Sequence, residues 1–146
     1  MIGIDIVEVE RIKKIYQRHG SSLLEKLLDQ REIDELPPEP SRYFFRRLSC
    51  YIASKEAIYK AYADGDLGWK DIIIRNIAEA PLIYIKKSDV THEIKLAHAI
   101  SKEVVISQAL MIRPLEPDVS TPLCHSAGPM QLQTGPVLAM IEEMDA

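Results

Sequence analysis

Lys55-Glu56-Ala57-Ile58-Tyr59-Lys60-Ala61 lies inside a helical pattern that runs from about Ser41 to Ala63. On a helix Glu56 and Lys60 stand four apart and share a face. The plain reading of that face is a surface ion pair, worth roughly 0.3–0.5 kcal/mol. The sharper reading is that Glu56 holds a metal ion and Lys60 holds a phosphate on that ion. Alone, the stretch favours the plain reading. The N-terminal stretch Gly3-Ile4-Asp5-Ile6-Val7-Glu8 shifts the balance, because a lone carboxylate interrupts a short apolar strand there. A buried carboxylate is costly unless something pairs with it. Asp5 is therefore either a strand-end acceptor of backbone hydrogen bonds or a metal ligand.

Outward from these two stretches, the pattern divides into helices early and strands late. Met1 to Val7 reads as a buried strand, and Glu8 to His19 as a helix with Val9, Ile12, Ile15 and Tyr16 on its apolar stripe. Arg11, Lys13, Lys14 and Arg18 make its other side basic, which suits either plain solvation or an acidic partner. Gly20 stops that helix. A second helix opens at Ser21-Ser22, where Ser22 and Glu25 fit a capping box. The run from Arg31 to Leu36 continues as a short helix before Pro37, Pro38 and Pro40 break it. Ser41 caps the long third helix, with Tyr43, Phe44, Leu48, Tyr51, Ile52, Ile58 and Tyr62 as its expected buried side. Asp64 to Gly68 is a loop, in which Gly65 could let backbone approach a phosphate.

The second half carries strands at Asp71–Asn76, Pro81–Ile85, Glu93–Ala99 and Val104–Ile112. In Glu93–Ala99, Ile94, Leu96 and His98 share a face. Short links favour pairing the last three strands antiparallel. The fold class expected is α+β: an N-terminal strand and helices followed by a small antiparallel sheet. Residues 1–112 form the expected domain, and 113–146 a Pro-rich, loosely ordered tail with a short helix from Val137 to Met144.

Composition narrows the functional classes. The 146 residues suffice for one core, and a net charge of −4 argues against a general nucleic-acid binder. Cys50 and Cys124 are too few for a disulfide framework, so free thiols in a reducing cytoplasm are expected. No apolar stretch approaches a membrane span, and no secretory signal is legible. The four histidines lack zinc-like spacing; His92 and His98 would stand about 20 Å apart on one strand. No Gly-x-Ser-x-Gly elbow supports a hydrolase triad. Asp5 and Glu56, on separate elements, suit Mg²⁺ better, because that ion takes one or two carboxylates together with waters and phosphate oxygens.

Taken together, GIDIVEVERI at the start, ASKEAIYKA in the centre and the late strand-His-strand pattern resemble holo-[acyl-carrier-protein] synthase, the small 4′-phosphopantetheinyl transferase family. The resemblance covers about residues 1 to 112. It implies Mg²⁺-dependent transfer of 4′-phosphopantetheine from coenzyme A to a serine of apo acyl carrier protein, with release of adenosine 3′,5′-bisphosphate. By motif position, Asp5 and Glu56 would hold Mg²⁺. Lys60, Lys55, Gly65 and His98 would contact coenzyme A. Arg11, Lys14 and Arg18 would dock the acidic carrier protein. A cytoplasmic homotrimer is implied, with coenzyme A between subunits. Three places depart from the pattern: Tyr51 stands for an arginine, Glu79-Ala80-Pro81 for Gly-x-Pro, and Lys95-Leu96-Ala97-His98 for Ser-x-Ser-His. They motivate a competing reading, a non-catalytic relative that binds carrier protein or nucleotide. A third reading, an unrelated Mg²⁺-dependent phosphohydrolase, would want more clustered acidic ligands.

Overall fold

A computed structural model of the chain describes residues 1–38, 40–62, 66–86, 93–112, 140–141 and 143–144. Strand β1 (Ile2–Glu8) leads directly into helix α1 (Val9–His19). Helices α2 (Ser21–Leu27), α3 (Gln30–Ile33) and α4 (Arg42–Tyr62) follow. A 3₁₀ turn (Trp69–Asp71) then opens β2 (Ile72–Arg75), before β3 (Leu82–Ile85), β4 (Glu93–Ile100) and β5 (Val104–Ile112). The α+β class expected from the sequence is what forms.

The sheet differs from the one expected. The last three strands do not pair as a unit. β1, β5 and β4 form one antiparallel sheet in that order, while β2 and β3 form a separate hairpin. β1 thus returns to the last strand of the chain, with Ile2 opposite Leu110 and Glu8 opposite Val104. Pairing across so many residues leaves no local signal, because it is set by which apolar faces meet.

The sheet's inner face packs under α4. Gly3, Val7, Val105, Ala109 and Met111 are buried there, alternating with exposed Ile2, Ile4, Ile6, Ile106 and Leu110. Gly3 sets the distance of closest approach. A Cβ at that position would lie 1.9 Å from the Ala57 carbonyl oxygen and 2.7 Å from the Ala61 amide nitrogen. Glycine with two alanines lets strand and helix backbones touch.

Around that contact the helices close the core. Val9, Ile12 and Ile15 are buried on α1, as their spacing predicts. Tyr16 meets the Phe44 and Phe45 rings edge-on at 5.0 and 5.6 Å, which fixes α1 against α4. Gly20, at φ 55°, takes the left-handed turn between α1 and α2, and its N–H donates to the Tyr16 carbonyl. The Phe44 amide donates to Ser41 Oγ at 3.2 Å, the cap expected for α4.

Two local expectations fail. The Ser22–Glu25 capping box is absent, since α2 has no side-chain cap; the box that forms joins Asp29 and Glu32 at α3. Tyr43 is 62% exposed rather than buried, because it sits on the outer side of the first turn of α4, where Arg42 lies over its ring. In the tail, Met140, Ile141, Glu143 and Met144 are helical, and Ile141 is buried against the core. His92, and the remainder of the expected tail including Cys124 and His125, lie outside the described residues. Among those residues no helix is long and apolar enough to cross a membrane.

Candidate active site

The site grows from the crossing of β1 over α4. Asp5 lies on the inner face of β1, two residues from the Gly3 contact. Lys60 reaches across from α4, donating from Nζ to Asp5 Oδ1 at 2.7 Å and to the Ile4 carbonyl at 3.2 Å. Glu56 lies one turn earlier on α4 and is only 4% exposed. The surface pair of Glu56 with Lys60 is therefore not what forms. Burial of the helix against the sheet takes Glu56 inside, and the cross-element bond claims the lysine. Asp5 is no strand-end residue either. It stands mid-strand, paired in register with Ser107.

Register extends this row. Ser107 is flanked by Asp5 on β1 and His98 on β4, so the three share the inner face. Above them Ser54 and Ser107, both buried, share a hydroxyl hydrogen bond of 3.1 Å. Burial first, and the charge of Arg47 second, hold the His98 imidazole below its ordinary value, so it is neutral at pH 7. Its Nδ1 is buried without a hydrogen-bond partner among the described residues. Burial likewise pushes the Cys50 thiol up to about 11, which keeps it protonated and unreactive.

Lys55 departs from its expected place. It is wholly buried, and its ammonium donates to Glu32 Oε2 at 2.6 Å and to the Leu27 carbonyl at 3.0 Å. Desolvation lowers its pKa, and the Glu32 carboxylate opposes that shift. In this chain Lys55 thus faces the interior rather than a bound phosphate, because it is one residue, about 100° of helix rotation, away from Glu56. Gly65 lies outside the described residues. Arg11, Lys14 and Arg18 are exposed together on α1, away from its buried stripe.

Two acids that sequence reasoning passed over prove central to the scaffold. Glu32 accepts from Lys55, from the Asp29 amide at 2.8 Å and from the Ile74 amide at 2.7 Å. Glu35 accepts from Tyr51 at 2.7 Å, from Arg75 Nε at 2.5 Å and from the Asn76 amide at 3.0 Å. Burial alone would raise the Glu35 pKa, but the bonds from Arg75, Tyr51 and Asn76 outweigh it and hold the carboxyl below its usual range. The only sequence signal for either was the Asp29-x-x-Glu32 capping pattern. Tyr51, one of the departures from the family pattern, is wholly buried in this network.

The donor set suits a small hard cation. Asp5 and Glu56 offer carboxylate oxygens from two different elements, with an ammonium beside one of them. Among the described residues no group of three or more His, Cys, Asp or Glu side chains forms a metal cage. Two carboxylates fit Mg²⁺, which keeps its waters and takes phosphate oxygens; they fit neither a closed zinc site nor a calcium cage.

Fold and site together define a small α+β protein with a carboxylate–lysine pair where β1 crosses α4. The model of the 4′-phosphopantetheinyl transferase superfamily matches residues 1–109, and the chain belongs to that family of enzymes. It is 30% identical over 118 residues to a holo-[acyl-carrier-protein] synthase of Chlorobaculum parvum, an alignment spanning 78% of this chain and 98% of that one. A second relative of the same name, from Thermoanaerobacter, is 34% identical and is covered over 86% of its length by 76% of this chain. Among solved structures, the Helicobacter pylori holo-[acyl-carrier-protein] synthase in complex with coenzyme A superposes with a TM-score of 0.66 at 26% identity, covering 77% of this chain and all of that one. The Bacillus anthracis synthase in complex with CoA (3′,5′-ADP) superposes with a TM-score of 0.65, also at 26% identity, over 77% of this chain and 96% of that one.

Proposed function

We propose that the chain transfers 4′-phosphopantetheine from coenzyme A to a serine of apo acyl carrier protein, with Mg²⁺ as cofactor and adenosine 3′,5′-bisphosphate as the other product. The observation that carries the reading is the Lys60–Asp5 pair where β1 crosses α4, one helical turn along from buried Glu56, in a member of this family. Asp5 and Glu56 would hold Mg²⁺. Bound there, the ion would neutralise charge on the pyrophosphate of coenzyme A. Lys60, already fixed beside Asp5, supplies a second positive charge to the same phosphates. The serine oxygen attacks the phosphorus that carries pantetheine and forms a new P–O bond. The bond from that phosphorus to the bridging pyrophosphate oxygen breaks, and the serine proton passes to an oxygen base. His98, neutral on the inner face of the sheet, and Gly65 complete the proposed contacts to coenzyme A, and Lys55 supports them from inside.

Exposed Arg11, Lys14 and Arg18 would receive the acidic carrier protein. The homotrimer would use the outer sheet face, where Ile2, Ile4, Ile6, Ile106, Leu110 and Ile112 are all exposed and another subunit would cover them. A native mass of one chain would remove that assembly. The domain is placed at 1–112 with a tail from 113, in keeping with a family match that ends at 109 and a last strand that ends at Ile112. A cytoplasmic location belongs to the same proposal, since coenzyme A and the carrier protein would be met there.

The test is a mass spectrum of apo acyl carrier protein after incubation with this protein, coenzyme A and Mg²⁺, with and without a chelator. A gain of one phosphopantetheine group that the chelator abolishes is the expected result. No gain with several carrier proteins would leave the binding-only relative in possession. For docking, Arg11→Glu should raise KM for carrier protein about tenfold, a change of roughly 1.4 kcal/mol, and leave KM for coenzyme A alone. An equal rise in both would sink the docking face.

A further inference from the structure

We propose that the buried Glu32–Lys55 ion pair is a positioning device for Glu56, and through it for the divalent cation of the site. The proposal rests on the functional reading above.

Both side chains of the pair are wholly buried. A buried ion pair is poor value as a source of stability, because desolvation offsets its attraction and apolar residues of similar volume often do as well. What this pair provides is registry. Its bonds converge from four elements: the Leu27 carbonyl at the end of α2, Asp29 and Glu32 at α3, Lys55 on α4 and the Ile74 amide on β2. One turn earlier on α4, Tyr51 is tied through Glu35 to Arg75 and Asn76. Two acids three residues apart thus hold two α4 side chains four residues apart against the same strand. Attachment at two points one turn apart fixes both the rotation of α4 and its position along its own axis.

The metal-binding stripe depends on that rotation. Tyr51 and Lys55 form one row on α4, and Glu56 and Lys60 form the next row around. A turn of the helix that carried Lys55 toward water would swing Glu56 away from β1. On the other side, Gly3 against Ala57 and Ala61 fixes how near the strand lies. The Glu32–Lys55 pair, with the Tyr51–Glu35 bond beside it, holds the rotation of the helix from the face turned away from that strand. Glu32 and Lys55 touch no reacting atom and are positioning residues.

The test is the double variant Glu32→Gln, Lys55→Met. Glutamine retains an acceptor for the Ile74 amide, methionine fills the lysine stem, and no buried charge is left unpaired. Three quantities are measured on the full chain: the thermal midpoint, Mn²⁺ affinity by electron paramagnetic resonance with coenzyme A present, and transfer as a function of Mg²⁺. The double variant should melt near the parent yet bind Mn²⁺ about tenfold or more weakly, as loss of outer-shell support does elsewhere. Half-saturating Mg²⁺ should rise in step, with KM for carrier protein unchanged. Parent-like Mn²⁺ affinity in the folded double variant overturns the proposal. Should that variant not fold, Lys55→Arg keeps the charge but displaces the head group, and parent-like Mn²⁺ affinity there overturns it equally. A parent that neither binds Mn²⁺ nor transfers overturns the functional reading, and the positioning role with it. A parent that does both, beside a double variant that does both as well, overturns the positioning role alone.

Discussion

Glu56→Ala abolishes transfer and leaves the chain folded: turnover under saturating substrates and Mg²⁺ should fall about 1,000-fold, equivalent to roughly 4 kcal/mol of lost transition-state stabilisation. The size follows from position. In the proposed site Glu56 is one of two carboxylates among the described residues, so its loss would leave Asp5 to hold the ion with no second carboxylate from those residues. The fold survives for separate reasons. A carboxylate at 4% exposure carries a desolvation cost that alanine does not, and alanine is the best helix former for the middle of α4. Its neighbours on the helix, Ala53 and Ala57, are themselves buried alanines. Asp5→Ala should behave similarly. It deprives the partly exposed Lys60 of an ion pair, which costs at most about 1 kcal/mol at such a site. The check pairs the mass-shift assay with circular dichroism on the same preparation. A Glu56→Ala protein that retains a tenth or more of parental turnover would remove Glu56 from the metal site.

Gly3→Val should produce the largest loss of stability among single changes outside the charged residues. The first atom of any side chain at position 3 falls 1.9 Å from the Ala57 carbonyl oxygen, far inside van der Waals contact, and that neighbour is backbone that no rotamer change can move. β1 must lift off α4. Overpacking of this kind costs about 3 kcal/mol or more. The same displacement would pull Asp5 from Lys60, so residual activity should fall beyond the unfolded fraction. Urea denaturation measures the first effect, and turnover per folded molecule the second. A Gly3→Val protein with a parental urea midpoint would show that the strand–helix contact is looser than its geometry states.

The two predictions meet at one structural point, where β1 crosses α4, and that point shows how far the sequence reached. The elements themselves were legible. Val9, Ile12 and Ile15 announce α1 by their spacing, Ser41 marks the start of α4, and the apolar run from Val104 to Ile112 is a strand. Asp5 was legible as an anomaly, because a carboxylate in an apolar strand needs a partner. Local pattern misjudged what depends on neighbours far along the chain. Ser22 and Glu25 had capping-box spacing without the geometry, while Asp29 and Glu32 had both. Tyr43 looked apolar enough to bury, but it falls on the outer side of α4.

Sequence by itself determined the helices, the strands, the family and the residue types that suit Mg²⁺ and phosphate. These rest on periodicity, capping chemistry and motif, all of which act over a few residues. Only the tertiary structure decided which charges meet. Glu56 and Lys60 share a face on any helix, yet Lys60 reaches Asp5, fifty-five positions away, and Glu56 is taken inside. Lys55, next to Glu56 in the chain, turns instead to Glu32. The reason is that a helix presents every side chain to some direction, and only packing says what stands there. β1 lies on one side of α4 and α3 with β2 on the other, so adjacent residues of one motif are assigned to different tasks.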